Sequence, residues 1–222
     1  DEDGGVILHS GQRAGREPTN LVDPGTWVSG TTGSQPGFAH IGSTAENLIT
    51  LTNGPSGGVE LAWHCAADNP RGPDGGWDAD PVSIDHTKPY RFTVMARRLD
   101  SLDGSTYLGC DFGSVLAIDG STPAHSYFYL GDPPTLGDWY LIVGYVLPST
   151  YGGTTHYGGV YDVATGTKVA SVTSYKWKPS QTTSYHRAYF YYSSDGVAKQ
   201  QFCRPRFEVA DGSELDYSAL GA

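Results

Sequence analysis

Positive charge is scarce in this 222-residue chain, where 14 Lys and Arg stand against 24 Asp and Glu for a formal net charge of −10. Such a balance lacks the basic face by which nucleic-acid binders hold phosphates, so nucleic acid is not an expected partner. Cysteine is as sparse. Cys65, Cys110 and Cys203 allow at most one bridge with one thiol left over, and no Cys-x-x-Cys pair or zinc site can be read. Buried free thiols are the expectation. No apolar run approaches a transmembrane span, so membrane insertion is not expected. No signal peptide is visible, but the chain begins at Asp1 rather than Met, as a processed piece would, and the missing leader carries no information.

Two further absences narrow the fold and the chemistry. No useful length of sequence shows a 3.6-residue apolar period, apart from one helical turn's worth in Glu214 to Leu220, and no repeat of 20 to 50 residues is evident. Helical bundles, solenoids and propellers are thereby disfavoured. The nucleophile-elbow, His-Glu-x-x-His, P-loop and dinucleotide patterns are also missing. Paired glycosidase carboxylates stay open, because their spacing is spatial rather than sequential.

What the chain does hold is turn-formers and aromatics: 30 Gly, 14 Pro and 15 Tyr. Many short strands joined by tight loops need that mixture, and Tyr adds a flat apolar ring with a polar tip, suited to gripping something wet. Residues 1–18 read as an N-terminal arm or junction, 19–213 as one β domain and 214–222 as a tail. Tyr90 to Arg97 alternates, with Phe92, Val94 and Ala96 on one face and Arg91, Thr93, Met95 and Arg97 on the other. Trp139 to Leu147 is apolar on both faces, as a central, doubly covered strand would be, and Pro148 stops it. Gly158 to Asp162 and Lys168 to Thr173 flank a short turn. Tyr185 to Tyr192 and Ala198 to Val209 flank Ser193-Ser194-Asp195-Gly196, the strongest hairpin signal in the chain. Trp27, Trp63, Trp139 and Trp177 lie in or beside strand-like runs and are expected in the core, and His64 is expected in the core or at an interface rather than on a metal.

If that hairpin forms, Arg187, Tyr189 and Tyr191 of its first strand join Arg204 and Arg206 of its second in one patch, with Glu208 on the same face as the latter pair. Arg91 and Arg97 are candidates for the same sheet. Guanidiniums offer a rigid fork to carboxylate or sulfate, and phenol rings can stack on a sugar. The alternative is that these arginines pair with neighbouring acids on a solvated face. Asp68 to Asp80 reads as an acidic loop, weakly suited to calcium, with Trp77 at its centre as a sugar-stacking tip. Tyr151 to Gly159 places Tyr151, His156 and Tyr157 on a Gly/Thr platform, either a recognition loop or a plain connection. A polysaccharide lyase would need an Arg with a Tyr or His, types found in His186-Arg187-Ala188-Tyr189. Alternation puts His186 opposite the other two.

Asn20-Leu21-Val22-Asp23-Pro24-Gly25-Thr26-Trp27, Tyr90 to Arg97 and Phe207-Glu208-Val209 resemble, in that order, the first, central and last strands of a jelly-roll carbohydrate-binding module. The stretches Gly137 to Val146, Tyr157 to Asp162 and His186 to Tyr192 are similar to glycan-recognising domains of phage or gene-transfer-particle fibres and spikes. The resemblance implies an all-β, two-sheet antiparallel sandwich that closes its last strand beside its first. It implies non-catalytic binding of a cell-surface or extracellular polysaccharide, and a place outside the cell, at the cell surface or on a particle. It also implies a structural calcium near the first and last strands, where Asp23 and Glu208 fall. Rival expectations are a lyase acting on uronate polymers and an oligomerisation domain, trimeric if part of a spike, whose aromatic face is a subunit interface.

Overall fold

The computed structural model describes residues 19–67, 72–212, 214, 216, 217 and 220; the arm read at 1–18 lies outside the described residues. Sixteen strands are found among them. The first eight are β1 (Phe38–His40), β2 (Asn47–Asn53), β3 (Val59–Ala66), β4 (Pro73–Ala79), β5 (Val82–Ser83), β6 (Tyr90–Leu99), β7 (Ser105–Cys110) and β8 (Val115–Ala117). The others are β9 (Tyr127–Gly131), β10 (Trp139–Leu147), β11 (Gly159–Asp162), β12 (Lys168–Ala170), β13 (Tyr175–Trp177), β14 (Thr183–Ser184), β15 (His186–Tyr191) and β16 (Lys199–Val209). A five-stranded sheet runs β1-β4-β15-β7-β9, and a nine-stranded sheet runs β12-β11-β10-β6-β16-β3-β2 with β13 and β8 attached. A small β14-β5 pair stands apart. The chain passes repeatedly from one sheet to the other, and the pairings are antiparallel except for β10 with β13 and an isolated Arg98–Leu136 bridge. The architecture is all-β, a two-sheet sandwich of jelly-roll type. No helix among the described residues is long and apolar enough to cross a membrane.

Alternation builds the space between the sheets. Phe92, Val94 and Ala96 of β6 point into it, as expected, against Leu108 of β7 and Ala188 and Phe190 of β15. β10 is buried along its whole length. Tyr140, Ile142 and Val146 enter the inter-sheet core, while Leu141, Val143, Tyr145 and Leu147 enter a second cluster on the outer face of the nine-stranded sheet. Tyr217 and Leu220 of the C-terminal segment pack on that cluster, and the Leu220 amide bonds the Asp216 carbonyl in one helical turn. Trp27, Trp63, Trp77 and Phe38 meet ring on ring at 5.3–6.4 Å. Buried Asn47 serves this group: its amide oxygen accepts from the Trp63 indole at 2.7 Å and the Gly76 amide at 2.8 Å, and its nitrogen donates to the Ile41 and Ser43 carbonyls. A buried amide is tolerated because each of its groups finds a partner. The three cysteines are free and buried. Asn20 and Leu21 bond Pro205 and Phe207, so the segment at 20–21 lies beside β16.

Three expectations are corrected. Tyr185–Tyr192 and Ala198–Val209 do not pair as a hairpin: β15 lies between β4 and β7, and β16 lies between β6 and β3 in the other sheet. Both strands carry buried apolar rows, and the Asp-Gly turn arches over the core so that each row covers the other. Second, β16 changes phase at a bulge between Cys203 and Arg206, where Arg204 takes φ 49°. Phe202 and Phe207 both face inward and Cys203 joins the outer cluster, whereas the unbroken alternation that groups Arg204, Arg206 and Glu208 would put Cys203 and Phe207 together on the other face. Third, most of Asp68–Asp80 is strand, not loop. Its Pro-Asp-Gly-Gly run is β4, and residues 68–71 lie outside the described residues.

Candidate functional site

The outward face of the five-stranded sheet carries a tyrosine surface. On β15 the inward positions are His186, Ala188 and Phe190, so Arg187, Tyr189 and Tyr191 turn outward. On β7, Thr106, Leu108 and Cys110 are buried and Tyr107 turns outward; Tyr127 of β9 joins them. Tyr107 and Tyr189 sit directly opposite and stack, with centroids 4.8 Å apart and planes at 21°. Tyr127 meets Tyr107 edge-on at 4.8 Å, and Tyr191 does so at 5.4 Å. His125 stacks on Tyr127 at 5.5 Å, and half-exposed Tyr192 lies 5.3 Å from Tyr191. The Tyr189 hydroxyl donates to that of Tyr127 at 2.6 Å. Burial first, then the Tyr127 hydroxyl, pushes the Tyr189 phenol up, and burial raises Tyr107, so both remain neutral hydrogen-bonding groups.

Glycine makes the surface possible. Gly76 of β4 faces Tyr189 with φ 128°, and a Cβ there would sit 2.3 Å from the Tyr189 Cβ. Gly109 faces Arg187, and a Cβ there would come within 2.7 Å of the Tyr127 ring. The two sheet rows therefore read Asp78–Arg187–Gly109–Tyr127 and Gly76–Tyr189–Tyr107–Leu130. Arg187 holds Asp78 through both carboxylate oxygens, at 2.5 and 2.8 Å, and lies 5.6 Å from the Tyr185 ring. The Asp78 contact holds its guanidinium charged.

Of the residues singled out in the sequence, Arg187, Tyr189 and Tyr191 thus share one face. Arg204, Arg206, Arg91 and Arg97 are on the other sheet, because β16 and β6 belong there, and the single patch drawn from a β15–β16 hairpin does not exist. Arg91 and Arg206 both close on Glu208, at 2.5 and 2.9 Å. Burial works against the Arg91 charge, but Glu208 overcomes it and raises the group. Arg204 grips Glu60 and donates to the Leu220 carbonyl. Trp77 is not an exposed tip: it is wholly buried, because β4 turns it into the core beside His186. Tyr151 and Tyr157 pack against the outer cluster of the nine-stranded sheet, and the His156 ring accepts the Ser174 amide at 2.9 Å. Tyr107, Tyr127 and His125 were not singled out in the sequence, where Asp78 figured only as one acid of the Asp68–Asp80 stretch. The alternating Tyr107-x-Gly109 and the aromatic run at Tyr127 were the available signals.

His186 is sealed between the sheets. Its Nε2–H donates to the Thr93 carbonyl at 3.0 Å and its Nδ1 accepts the Trp77 indole at 3.3 Å, which fixes the neutral tautomer. Burial lowers its pKa to about 4. It faces away from Arg187 and Tyr189, so a lyase trio is not assembled there. Asp23 caps the turn at Pro24–Thr26 by accepting the Gly25 amide, and with Asp80, Thr26 and Phe38 it lines a cleft of about 240 Å³. Glu208 is occupied by its two arginines on the opposite side of β16 from Phe207. Among the described residues, no three His, Cys, Asp or Glu side chains gather as metal ligands.

No protein-family model matches the chain, and no curated protein does. Among solved structures it is similar to one titled for CBM4 (10% identity, 78% of this chain and 95% of the other, TM-score 0.38). It is also similar to the CBM22-1 xylan-binding domain of Paenibacillus barcinonensis Xyn10C (11% identity, 89% and 98%, TM-score 0.37). A third is the C-terminal family 22 carbohydrate binding module of Clostridium thermocellum Xyn10B (13% identity, 87% and 99%, TM-score 0.35). At these identities and TM-scores the function has to be judged from the faces of the sandwich themselves.

Proposed function

We propose that the chain binds a carbohydrate polymer, without cleaving it, across the outward face of the five-stranded sheet. One observation carries this: Tyr107, Tyr127, Tyr189 and Tyr191 form a contiguous, mutually braced surface over three neighbouring strands. A phenol ring gives the C–H face of a sugar an apolar platform, and its hydroxyl bonds the sugar's edge. The platform is rigid before a ligand arrives, so little ordering entropy is spent on binding. Asp78 and Arg187 at its border offer the acceptor and donor that fix orientation. With strands about 4.8 Å apart, the sheet presents roughly 20 Å across its width, enough for an extended chain rather than one monosaccharide.

The polymer is proposed to be a surface or extracellular polysaccharide, met by the domain as an appended module or as part of a particle fibre. The test is migration in native gels cast with soluble arabinoxylan, mixed-linkage glucan or galactomannan. Retardation by at least one of these, lost in Tyr107→Ala, supports the proposal. Unretarded wild type, or retardation that Tyr107→Ala leaves intact, overturns it. If light scattering instead finds a trimer that Tyr107→Ala and Tyr191→Ala dissolve, the face is a subunit interface.

A further inference from the structure

The nine-stranded sheet holds a second constellation, on the opposite side of the molecule from the tyrosines. Four neighbouring strands set Trp139, Arg97, Gln201 and His64 directly abreast in one row. Arg97 lies 4.5 Å over the Trp139 ring, and the Trp139 indole is anchored on the Asn53 carbonyl. One guanidinium nitrogen, Nη2, donates to Thr52 Oγ1 at 2.6 Å and Gln201 Oε1 at 2.5 Å. Gln201 continues the row to His64 Nδ1 at 3.4 Å.

Arg97 differs from every other arginine among the described residues. Arg91 and Arg206 share Glu208, Arg98 meets Asp132, Arg187 meets Asp78 and Arg204 meets Glu60. Arg97 meets no carboxylate among the described residues, in a chain where acids outnumber bases by ten. Its Nε is buried without a partner, and Nη1 makes no hydrogen bond to a described residue. Thr52, Gln201 and Trp139 therefore hold the fork in place while leaving part of its donor capacity unused. Burial works against its charge, and among the described residues the opposing effect comes from the Cys203 thiol, not from a carboxylate. A bound anion would oppose it as well.

We propose that Arg97, held by Trp139, Thr52 and Gln201, is a second ligand site that takes the carboxylate of a uronate sugar, with the neutral Gln201, Thr52 and His64 beside it for the sugar hydroxyls. With both Nη2 hydrogens taken by Thr52 and Gln201 and Nε buried, Nη1 is the nitrogen left to donate to a carboxylate oxygen, on a guanidinium already held in place. The surrounding negative field favours a ligand with isolated carboxylates over a densely charged polyanion.

The experiment is an NMR titration of the full chain with glucuronic acid, glucose and N-acetylaspartate, repeated in Arg97→Gln and Arg97→Lys. Glucuronate should shift the Arg97, Gln201 and Thr52 signals saturably. Glucose should leave them unmoved, and either variant should bind at least tenfold more weakly. Arg97→Lys keeps the charge but loses the positioned Nη1 donor, so its weakening separates recognition by a fixed donor from simple attraction. Retention of native amide dispersion shows that each variant folds. The proposal fails if glucuronate moves nothing in this row, if Arg97→Gln binds as well as wild type, or if N-acetylaspartate binds as tightly as the sugar acid. It is independent of the tyrosine face, whose loss in Tyr107→Ala would leave this titration unchanged.

Discussion

Single side chains on this sandwich divide into those proposed to meet a polysaccharide and those that hold the sheets, and substitution should separate them. Truncating Tyr107 removes a ring that braces Tyr127, Tyr189 and Tyr191 at once. Tyr107→Ala should weaken polysaccharide binding by tenfold or more, about 1.4 kcal/mol, read by isothermal titration. Arg204→Ala, on the other sheet, should leave affinity unchanged and cost about 1 kcal/mol of stability in urea, since its Glu60 partner is only partly screened from water. His186 gives a pH signature. Its pKa is lowered to about 4 in the folded protein, against about 6.5 when unfolded. Between those values the unfolded chain takes up a proton that the folded chain refuses. Stability should therefore fall by up to about 1.4 kcal/mol per pH unit as pH drops from about 6.5 to about 4, with no further loss from this group below that. Urea midpoints at pH 7, 5.5 and 4.5 measure the slope, and His186→Gln should flatten it.

Elements were legible in the sequence where one physical pattern had one structural solution. The alternation of Tyr90–Arg97 and the two-sided burial of Trp139–Leu147 appear in β6 and β10 as expected. The two strands around Asp195-Gly196 did not pair, because a short turn between apolar rows serves equally as a hairpin in one sheet or an arch between two. Only the competition for neighbours decides, and β4 and β7 claim β15. The candidate site was half visible for the same reason: Arg187, Tyr189 and Tyr191 follow from alternation within one strand, while Tyr107 and Tyr127 come from strands whose adjacency no local pattern records. The bulge at Arg204 was marked by no glycine, only by Pro205, which a central strand tolerates at such an irregularity. β4 was hidden by its Gly75-Gly76 pair, which suggested a loop and instead permits close approach of β15. Gly76→Ala should clash with the Tyr189 Cβ and strain a backbone at φ 128°. A loss of about 2 kcal/mol or more in thermal or urea unfolding, with binding impaired in the residual folded fraction, is the expected result.

At the scale of the whole molecule, the two outer faces do different work. The nine-stranded sheet covers part of its own outer side with the C-terminal segment, around the buried Arg91–Glu208–Arg206 group and Tyr217. Glu208→Ala would leave Arg91 buried without its counter-charge and should destabilise the fold by about 3–5 kcal/mol, seen as a lowered unfolding midpoint. The five-stranded sheet instead leaves Tyr107, Tyr127 and Tyr191 part-exposed around Tyr189, which is only 7% exposed. The most direct measurement is isothermal titration of a polysaccharide that retards the wild-type chain, run in parallel on wild type, Tyr107→Ala and Arg204→Ala. Wild type and Arg204→Ala should bind equally, with Tyr107→Ala at least tenfold weaker. Equal binding by Tyr107→Ala, or loss of binding confined to Arg204→Ala, would place the ligand on the other sheet and contradict the account.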